Sequence, residues 1–376
     1  MELSIERSVL LSGLGLAQGI VERRNTVPIL SNVLLEGKAA LLSLMATDLE
    51  VGLRTQLACK NAKEGTITLN ARKLFEIVRE TEAGEISIKS LEGDWVEIKC
   101  GRARFKMMSL DPRSFPAMPG AGEQPNPGAG SAATLKIAAS VLSAMIDQTI
   151  FAVSPDETRY NLSGVFLESQ EGGKVRMVAT DGHRLAMVDR PCAGFRLTKG
   201  SILPRKGLGE LRRLLDQAGE AEVSLTLESQ LAWLRHEQTE VSMRLVEGEF
   251  PDYRGVIPTS SKYLVRVQRE AFLAAVKRAA IFSSERYHGI RMTLSRATLT
   301  VSSTSPELGE ASETIDVDFN GDEFSVGFNA AYLMQALNVI PPADELELAV
   351  SDEVSPGVLS PADDDSFRYV VMPMRL

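Results

Sequence analysis

Cysteine is scarce. Cys59, Cys100 and Cys192 stand far apart and never as a C-x-x-C pair, so the chain encodes neither a disulfide framework nor a thiolate zinc site. Histidine is equally rare. His183, His236 and His288 include no pair four residues apart on a helix, the spacing zinc ligation favours. His236-Glu237-Gln238-Thr239-Glu240 carries half of a zincin signature without its second histidine, and an exposed strand histidine is the simpler reading. No apolar run approaches the ~18 residues a spanning helix requires. Met1-Glu2-Leu3-Ser4-Ile5-Glu6 is acidic where a signal peptide is basic, so a cytoplasmic chain with no membrane partner is expected. Positive charge is in deficit: 41 Lys and Arg face 50 Asp and Glu, a net charge of −9. That balance excludes holding nucleic acid by bulk positive charge, and any basic face must be local. Gly13-x-Gly15-x-x-x-Gly19 misses dinucleotide-site spacing, and Pro204-Arg205-Lys206-Gly207 lacks the rest of a phosphate loop.

What is present is an ordinary globular balance, 44% hydrophobic and 24% charged over 376 residues, enough for two or three domains. The chain is also written three times. Ser31-Asn32-Val33-Leu34-Leu35-Glu36 runs into Met45-Ala46-Thr47-Asp48-Leu49-Glu50, and Ser163-Gly164-Val165-Phe166-Leu167-Glu168 runs into Val178-Ala179-Thr180-Asp181-Gly182-His183. A weaker third copy joins Gly289-Ile290-Arg291-Met292-Thr293-Leu294 to Val301-Ser302-Ser303-Thr304. Each unit opens with an alternating strand and an apolar-periodic helix, continues through hairpin-like strands to a second strand-helix pair, and closes on further strands. The second helices are predicted over 71–82, 205–217 and 329–339. Each unit is therefore a doubled β-α-β-β-β pattern, and the fold class is α+β with helices on one face of each sheet. Units 1–120, 132–250 and 251–376 are expected, with the Gly/Pro-rich stretch 121–131 as linker.

Thr180-Asp181-Gly182-His183-Arg184 is the best place to look for an enzyme, since Asp181 beside His183 could orient an imidazole in a hydrolase. No nucleophile accompanies it. Thr-Asp recurs at Thr47-Asp48 with no histidine, which favours a turn between two strands. A third reading is a repeat scaffold that binds only proteins.

Val178 through Ala186, Leu203-Pro204-Arg205-Lys206-Gly207, Gly248-Glu249-Phe250-Pro251-Asp252-Tyr253-Arg254 and Tyr369-Val370-Val371-Met372-Pro373-Met374-Arg375-Leu376 carry a resemblance that spans all three units. Val27-Pro28-Ile29-Leu30, Thr47-Asp48-Leu49-Glu50 and Ala71-Arg72-Lys73 add to it. The chain resembles the β sliding clamps, the β subunits of bacterial replicative DNA polymerase III. Asn161, Asp156, Glu157 and Gly255 depart from the family's pattern.

The resemblance implies three tandem DNA-clamp domains that form a ring as a head-to-tail homodimer around duplex DNA, without catalysis, cofactor or metal. Such a processivity factor tethers the replicative DNA polymerase, the clamp loader and repair polymerases through short peptide motifs. Phosphate contacts are implied for Arg24, Arg72, Lys73, Arg79, Tyr160, Arg205, Lys206, Arg212 and Lys277, against the plainer reading of solvated helix faces. A client-peptide pocket is implied at Leu162, Thr180, Gly182, His183, Arg184, Leu185, Pro251, Val256, Tyr332, Val370, Met372, Pro373, Met374 and Arg375. The dimer would join Phe105 and Met107 to Ile281 and Phe282, with Lys73, Arg102 and Arg104 near Glu307, Glu310 and Glu313. By periodicity alone, Ile281 and Phe282 also suit burial within their own domain.

Overall fold

The computed structural model describes residues 1–21, 27–82, 84–118, 132–156, 158–228, 230–284, 287–340 and 345–375. Arg24, Glu157 and the linker 121–131 lie outside the described residues. Among the described residues six α-helices follow the predicted order: α1 Arg7–Ile20, α2 Ala71–Glu80, α3 Ala139–Ile150, α4 Arg205–Ala218, α5 Arg269–Ala280 and α6 Ala330–Val339. Asn70 and Asn329 cap α2 and α6 by accepting from the backbone N–H of Lys73 and Tyr332 at 3.0 and 3.2 Å. Helix α2 stops two residues short of the expected end because Thr81 turns its hydroxyl back onto the Val78 carbonyl, 2.9 Å away.

The chain divides into two compact units, Met1–Ser143 with Leu203–Leu245, and Ala144–Ile202 with Val246–Leu376. This division follows sheets instead of repeats. In the first unit, one sheet runs in the order Lys60–Lys63, Glu2–Glu6, Glu85–Ser90, Trp95–Cys100, Ala103–Met108. The other begins with Ala133–Ala138, Glu222–Glu228, Leu231–His236 and Thr239–Arg244, then continues without a break into Val51–Ala58, Leu41–Thr47, Asn32–Lys38 and Gly65–Asn70. Thr239 lies opposite Thr55, Val241 opposite Leu53 and Met243 opposite Val51, so strands of two repeats form one hydrogen-bonded ladder.

The second unit repeats the device. Arg184–Pro191 pairs with Phe367–Val371, Leu185 opposite Val370 and Val188 opposite Phe367, which joins Gly164–Gln170 and Lys174–Thr180 to Gly357–Pro361, Glu345–Val350 and Tyr263–Gln268. The remaining sheet has the order Gly309–Asp316, Thr298–Ser305, Gly289–Ser295, Phe324–Asn329. Among the described residues, Ala103–Met108 and Gly309–Asp316 are each paired on one side only. Alternation buries one side of the strands, as with Leu3, Ile5, Ile86, Ile88, Val96 and Ile98, each at most 1% exposed. Close backbone approach tightens the helix layer: a Cβ on Gly19 of α1 would fall 1.8 Å from Arg213 and 2.1 Å from Glu210 of α4.

The turns read as Thr-Asp are the same object twice. Asp48 Oδ1 accepts from Glu50 N and Val51 N at 2.9 and 2.6 Å; Asp181 Oδ1 accepts from His183 N and Arg184 N at 2.9 and 3.1 Å. The position between them is left-handed in both, φ 82° at Leu49 and 88° at Gly182. Only the second copy supplies glycine. Leu49 is 48% exposed and loses little burial on replacement, so Leu49→Gly is expected to raise stability by about 0.5–1 kcal/mol and Gly182→Leu to lower it by about 1–2 kcal/mol. Urea midpoints of the two variants check this, and a destabilised Leu49→Gly would mean the turn stores no strain there.

Candidate functional site: an apolar groove and a basic cleft

The second Thr-Asp turn forms one wall of a groove. Thr180 Oγ1 donates to the Arg184 carbonyl at 2.6 Å and accepts from Gly182 N at 3.1 Å, closing the loop on itself. Arg184 then ties it down. Its Nε donates to Asp181 Oδ2 at 3.1 Å, Nη2 to the Phe151 carbonyl at 2.6 Å and Nη1 to Gln335 Oε1 of α6. The guanidinium carbon lies 4.2 Å from the centre of the Tyr332 ring and 5.3 Å from that of Phe151. Planar, five-donor and stacked, arginine alone meets all these demands. The Asp181 carboxylate serves the turn and this guanidinium. That is the turn reading of Thr180-Asp181-Gly182-His183, while His183 is itself exposed.

Val178, Leu185, Met187, Tyr253 and Val370 make the cluster beneath the groove, and Phe166 and Phe250 pack against it with their rings stacked 4.9 Å apart. Tyr253 is 4% exposed and keeps its hydroxyl satisfied by donating to Glu168 and accepting from Arg176 Nη1 at 3.2 Å. Burial pushes that phenol above its ordinary pKa. Asp189 grips Arg176 through two bonds of 2.6 and 2.7 Å and raises the guanidinium's pKa further, while Arg254 closes the chain on Glu168 at 3.1 Å. This polar chain fixes the Pro251-Asp252-Tyr253 bend against the sheet.

Above it lies a groove of about 270 Å³ lined by Leu162, Thr180, Gly182, Arg184, Leu185, Pro251, Asp252, Tyr253, Val256, Val370 and Met372. Nine of those residues are among the pocket positions expected from the sequence. His183, Tyr332, Pro373, Met374 and Arg375 are not in the lining. Tyr332 instead lies under Arg184, and the Met374 backbone N–H is held by the Gly327 carbonyl at 2.7 Å. Arg184 contributes its flank and not a free charge. Asp252 and Tyr253 are additions that the X-Pro-aromatic pattern signals without assigning. The departures have local roles: Asn161 Nδ2 donates to the Glu249 carbonyl at 3.1 Å, and Asp156 Oδ1 accepts from Thr158 N at 3.0 Å.

The first unit holds a cleft of about 620 Å³ that brings together Arg72, Lys73, Phe75, Glu76 and Arg79 of α2 with Gln18 of α1 and Arg213 of α4. Glu76 accepts from Arg72 Nε at 3.0 Å and Lys73 Nζ at 2.7 Å, and the two cations, Lys73 first, hold its carboxyl below the usual range. Arg79 pairs with Glu80 at 3.0 Å. Exposed pairs of this kind contribute at most ~1 kcal/mol, so these cations can exchange a carboxylate for a phosphate. Lys206 and Arg212 are placed differently. The Lys206 ammonium lies 2.5 Å from Asp48, whose side chain is 3% exposed, and Arg212 meets Asp216 one turn along. Arg205, Lys277 and Tyr160 are exposed on α4, α5 and the turn Tyr160–Leu162.

On or just before the edge strand Ala103–Met108, Phe105 and Met107 are partly buried, Arg102 is exposed and Arg104 is taken up by Glu97. Ile281, just past α5, is 69% exposed, so burial within its own domain is not its role; Phe282 beside it is half-buried. Glu307 and Glu310 are exposed, whereas Glu313 chelates Arg278, and each shifts the other toward its charged form. Among the described residues no group of three or more His, Cys, Asp and Glu side chains could hold a metal ion. Among the described residues no helix is long and apolar enough to cross a membrane.

Three family descriptions match the chain in order: DNA polymerase III beta subunit, N-terminal domain over residues 1–119, central domain over 136–252 and C-terminal domain over 254–375. The chain is 39% identical to the Beta sliding clamp of Pseudomonas aeruginosa and 36% identical to that of Caulobacter vibrioides, each alignment covering 100% of both sequences. It is also similar to the crystal structure of the P. aeruginosa sliding clamp with ligand, with TM-score 0.91 and 38% identity, and to that of the Bartonella birtlesii clamp bound to griselimycin, with TM-score 0.92 and 32% identity. Both superpositions cover 100% of each chain.

Replacing Arg184 by Met would leave the Asp181 carboxylate, 7% exposed, without its cation while keeping much of the side-chain volume. A loss of about 3 kcal/mol is expected, partly recovered in Arg184→Lys, which restores the charge but not the fork. Urea unfolding of both variants measures it; an unchanged midpoint for Arg184→Met would show that the guanidinium does not hold the turn.

Proposed function

The chain belongs to the DNA polymerase III beta subunit family, the β sliding clamps, and from that membership we propose how its own residues carry the work. It is a non-catalytic DNA sliding clamp and processivity factor: a head-to-tail homodimer closes a ring around duplex DNA and tethers the replicative polymerase, the clamp loader and repair polymerases. In this reading residues 1–120, 132–250 and 251–376 are its clamp domains, 121–131 links the first two, and its place of action is the cytoplasm.

The groove of the second unit carries the tethering role. An apolar lining of Leu162, Leu185, Pro251, Val256, Val370 and Met372, with Arg184 occupied by internal partners, suits leucine or phenylalanine side chains of a short client segment. Met372 and the aliphatic residues can re-pack around varied anchors, as a shared site demands. A fluorescent client-type peptide containing glutamine and leucine or phenylalanine is the test. Val256, 40% exposed at the rim, is replaceable without a cavity, and Val256→Asp is expected to weaken the peptide by about tenfold or more with the dimer intact. Unchanged affinity would place the peptide elsewhere.

Phosphate contacts are assigned to Arg72, Lys73, Arg79 and Arg213 around the basic cleft, joined by exposed Arg205 and Lys277. Such contacts read no sequence, and each neutralised phosphate contributes a log-log salt slope of about −0.9, so direct binding should fade with salt. A threaded ring cannot leave by breaking ion pairs. Protein loaded on closed circular DNA is therefore expected to survive a salt wash that strips it from linear DNA, and to be released when the circle is cut. Loss from both at the same rate would sink the ring.

The dimer contact follows from the seams. The last strand of the middle repeat pairs with the strand after the first Thr-Asp turn, and the last strand of the third repeat pairs with the strand after the second. Of the strands paired on one side only, Ala103–Met108 and Gly309–Asp316 are the remaining members of the same two classes. Carrying the seam register across copies sets Ala103 opposite Glu313, Phe105 opposite Ala311, Lys106 opposite Glu310 and Met107 opposite Gly309. Phe105 and Met107 then share a face with Ile281 and Phe282, while Lys106, absent from the sequence reading, meets an acid. Opposite charges at cross-strand positions add roughly 0.2–1 kcal/mol each.

A further inference from the structure

Three large apolar side chains on or beside the edge strands Ala103–Met108 and Gly309–Asp316 are left in water. Trp95 is 41% exposed, Met108 56% and Leu308 63%. Trp95 and Met108 are directly opposite each other across the last hairpin of the first repeat. Strand alternation sets Trp95 and Met108 on the face away from Val96, Ile98 and Met107. Leu308 precedes Gly309, where its strand begins, with its backbone N–H held by Ser305 Oγ at 3.3 Å. None of the three is needed by the inner-face contact of Phe105 and Met107.

We propose that Trp95 and Met108 of one copy and Leu308 of the other form a second, outer-face apolar clasp at each junction between copies, so that the dimer is closed on both faces of the shared sheet. The proposal rests on the head-to-tail reading above, and its occupant is a second copy of this chain. Continuity of register supplies the argument. If Met107 lies opposite Gly309, the next pair is Met108 opposite Leu308, and Trp95 flanks Met108 from the neighbouring strand. Exposed alone, these side chains form an apolar row at a strand edge, a feature that soluble chains hide or blunt. Brought together, an indole, a thioether and a leucine pack without any polar atom left unpaired except the indole N–H, which can remain at the rim. The Lys106–Glu310 pair lies next along the same face, so an ionic contact and an apolar one follow in sequence along the outer surface of the junction.

The two tryptophans make this measurable. Trp233 is 2% exposed within its own unit, so a concentration-dependent emission change reports Trp95. Dilution through the dimer–monomer transition, located by sedimentation, is expected to shift the emission to longer wavelength, and Trp95→Phe to remove that shift. Met108→Asp and Leu308→Lys, both at exposed sites that leave folding intact, are each expected to weaken the dimer by about tenfold or more. Combined in one chain, they place Asp opposite Lys at both junctions, and the dimer should recover most of that loss. Emission unchanged across the transition, Met108→Asp without effect on dimerisation, or a double variant no better than the weaker single one overturns the clasp. A wild-type chain that stays monomeric at every concentration overturns the ring reading itself, an outcome distinct from a clasp that fails within a dimer that forms.

Discussion

Backbone hydrogen bonding between the end of one repeat and the middle of another is the constraint on which the rest of this structure depends. A strand edge presents unpaired N–H and C=O groups, and those groups cost free energy unless they find partners or water. Here Thr239–Arg244 and Phe367–Val371 satisfy them by pairing with Val51–Ala58 and Arg184–Pro191. Neither repeat owns its sheet. Compactness is accordingly distributed over units that cut through the middle repeat. The proposed contact between copies applies the same rule to Ala103–Met108 and Gly309–Asp316, without a new kind of interaction.

The Thr-Asp turn stands beside each seam and does different work in its two copies. Around Asp48 the partner is Lys206 on α4, a compact ion pair that fastens the turn to the second helix of the next repeat. Around Asp181 the connection runs through Arg184 to Gln335 on α6, and the guanidinium lies over Tyr332 on the same helix. The second solution encloses an apolar groove because the cation is turned inward and the walls are left to leucine, valine, proline and methionine. One local motif thus serves a structural junction in one place and the wall of an apolar groove in the other.

Net charge says little about the local distribution of charge. An excess of acids over bases would oppose binding to a polyanion in a protein that relied on its whole field. Arg72, Lys73, Arg79 and Arg213 instead converge on one cleft, with Glu76 partly buried between Arg72 and Lys73 and Glu80 exposed beside Arg79. Burial raises the pKa of Glu210, which beside Gly19 belongs to the packing of α4 on α1.

The threefold repeat, the strand-helix order and the Thr-Asp turn were legible in the sequence, since periodicity, spacing and Asx chemistry are local and survive without knowledge of neighbours. So was most of the groove lining, because Thr180 through Leu185, Pro251 and Val370 to Met372 lie in short motifs that resemble a family over the whole chain. What the tertiary structure alone decided was partnership. Sequence marked Arg184 as a pocket residue but could not say that its charge is consumed by Asp181 in its own turn together with Phe151 and Gln335, which come from other elements. Nor could it separate Lys206, drawn to a buried Asp48, from Arg79, free to trade an exposed partner, since both are basic residues on second helices. Ile281 had the spacing of a core residue and emerged exposed just past the end of its helix. The reason is common to all three: composition and period specify which face a side chain shares, whereas the identity of what meets that face depends on how separate elements pack, and that packing exists only in the folded chain.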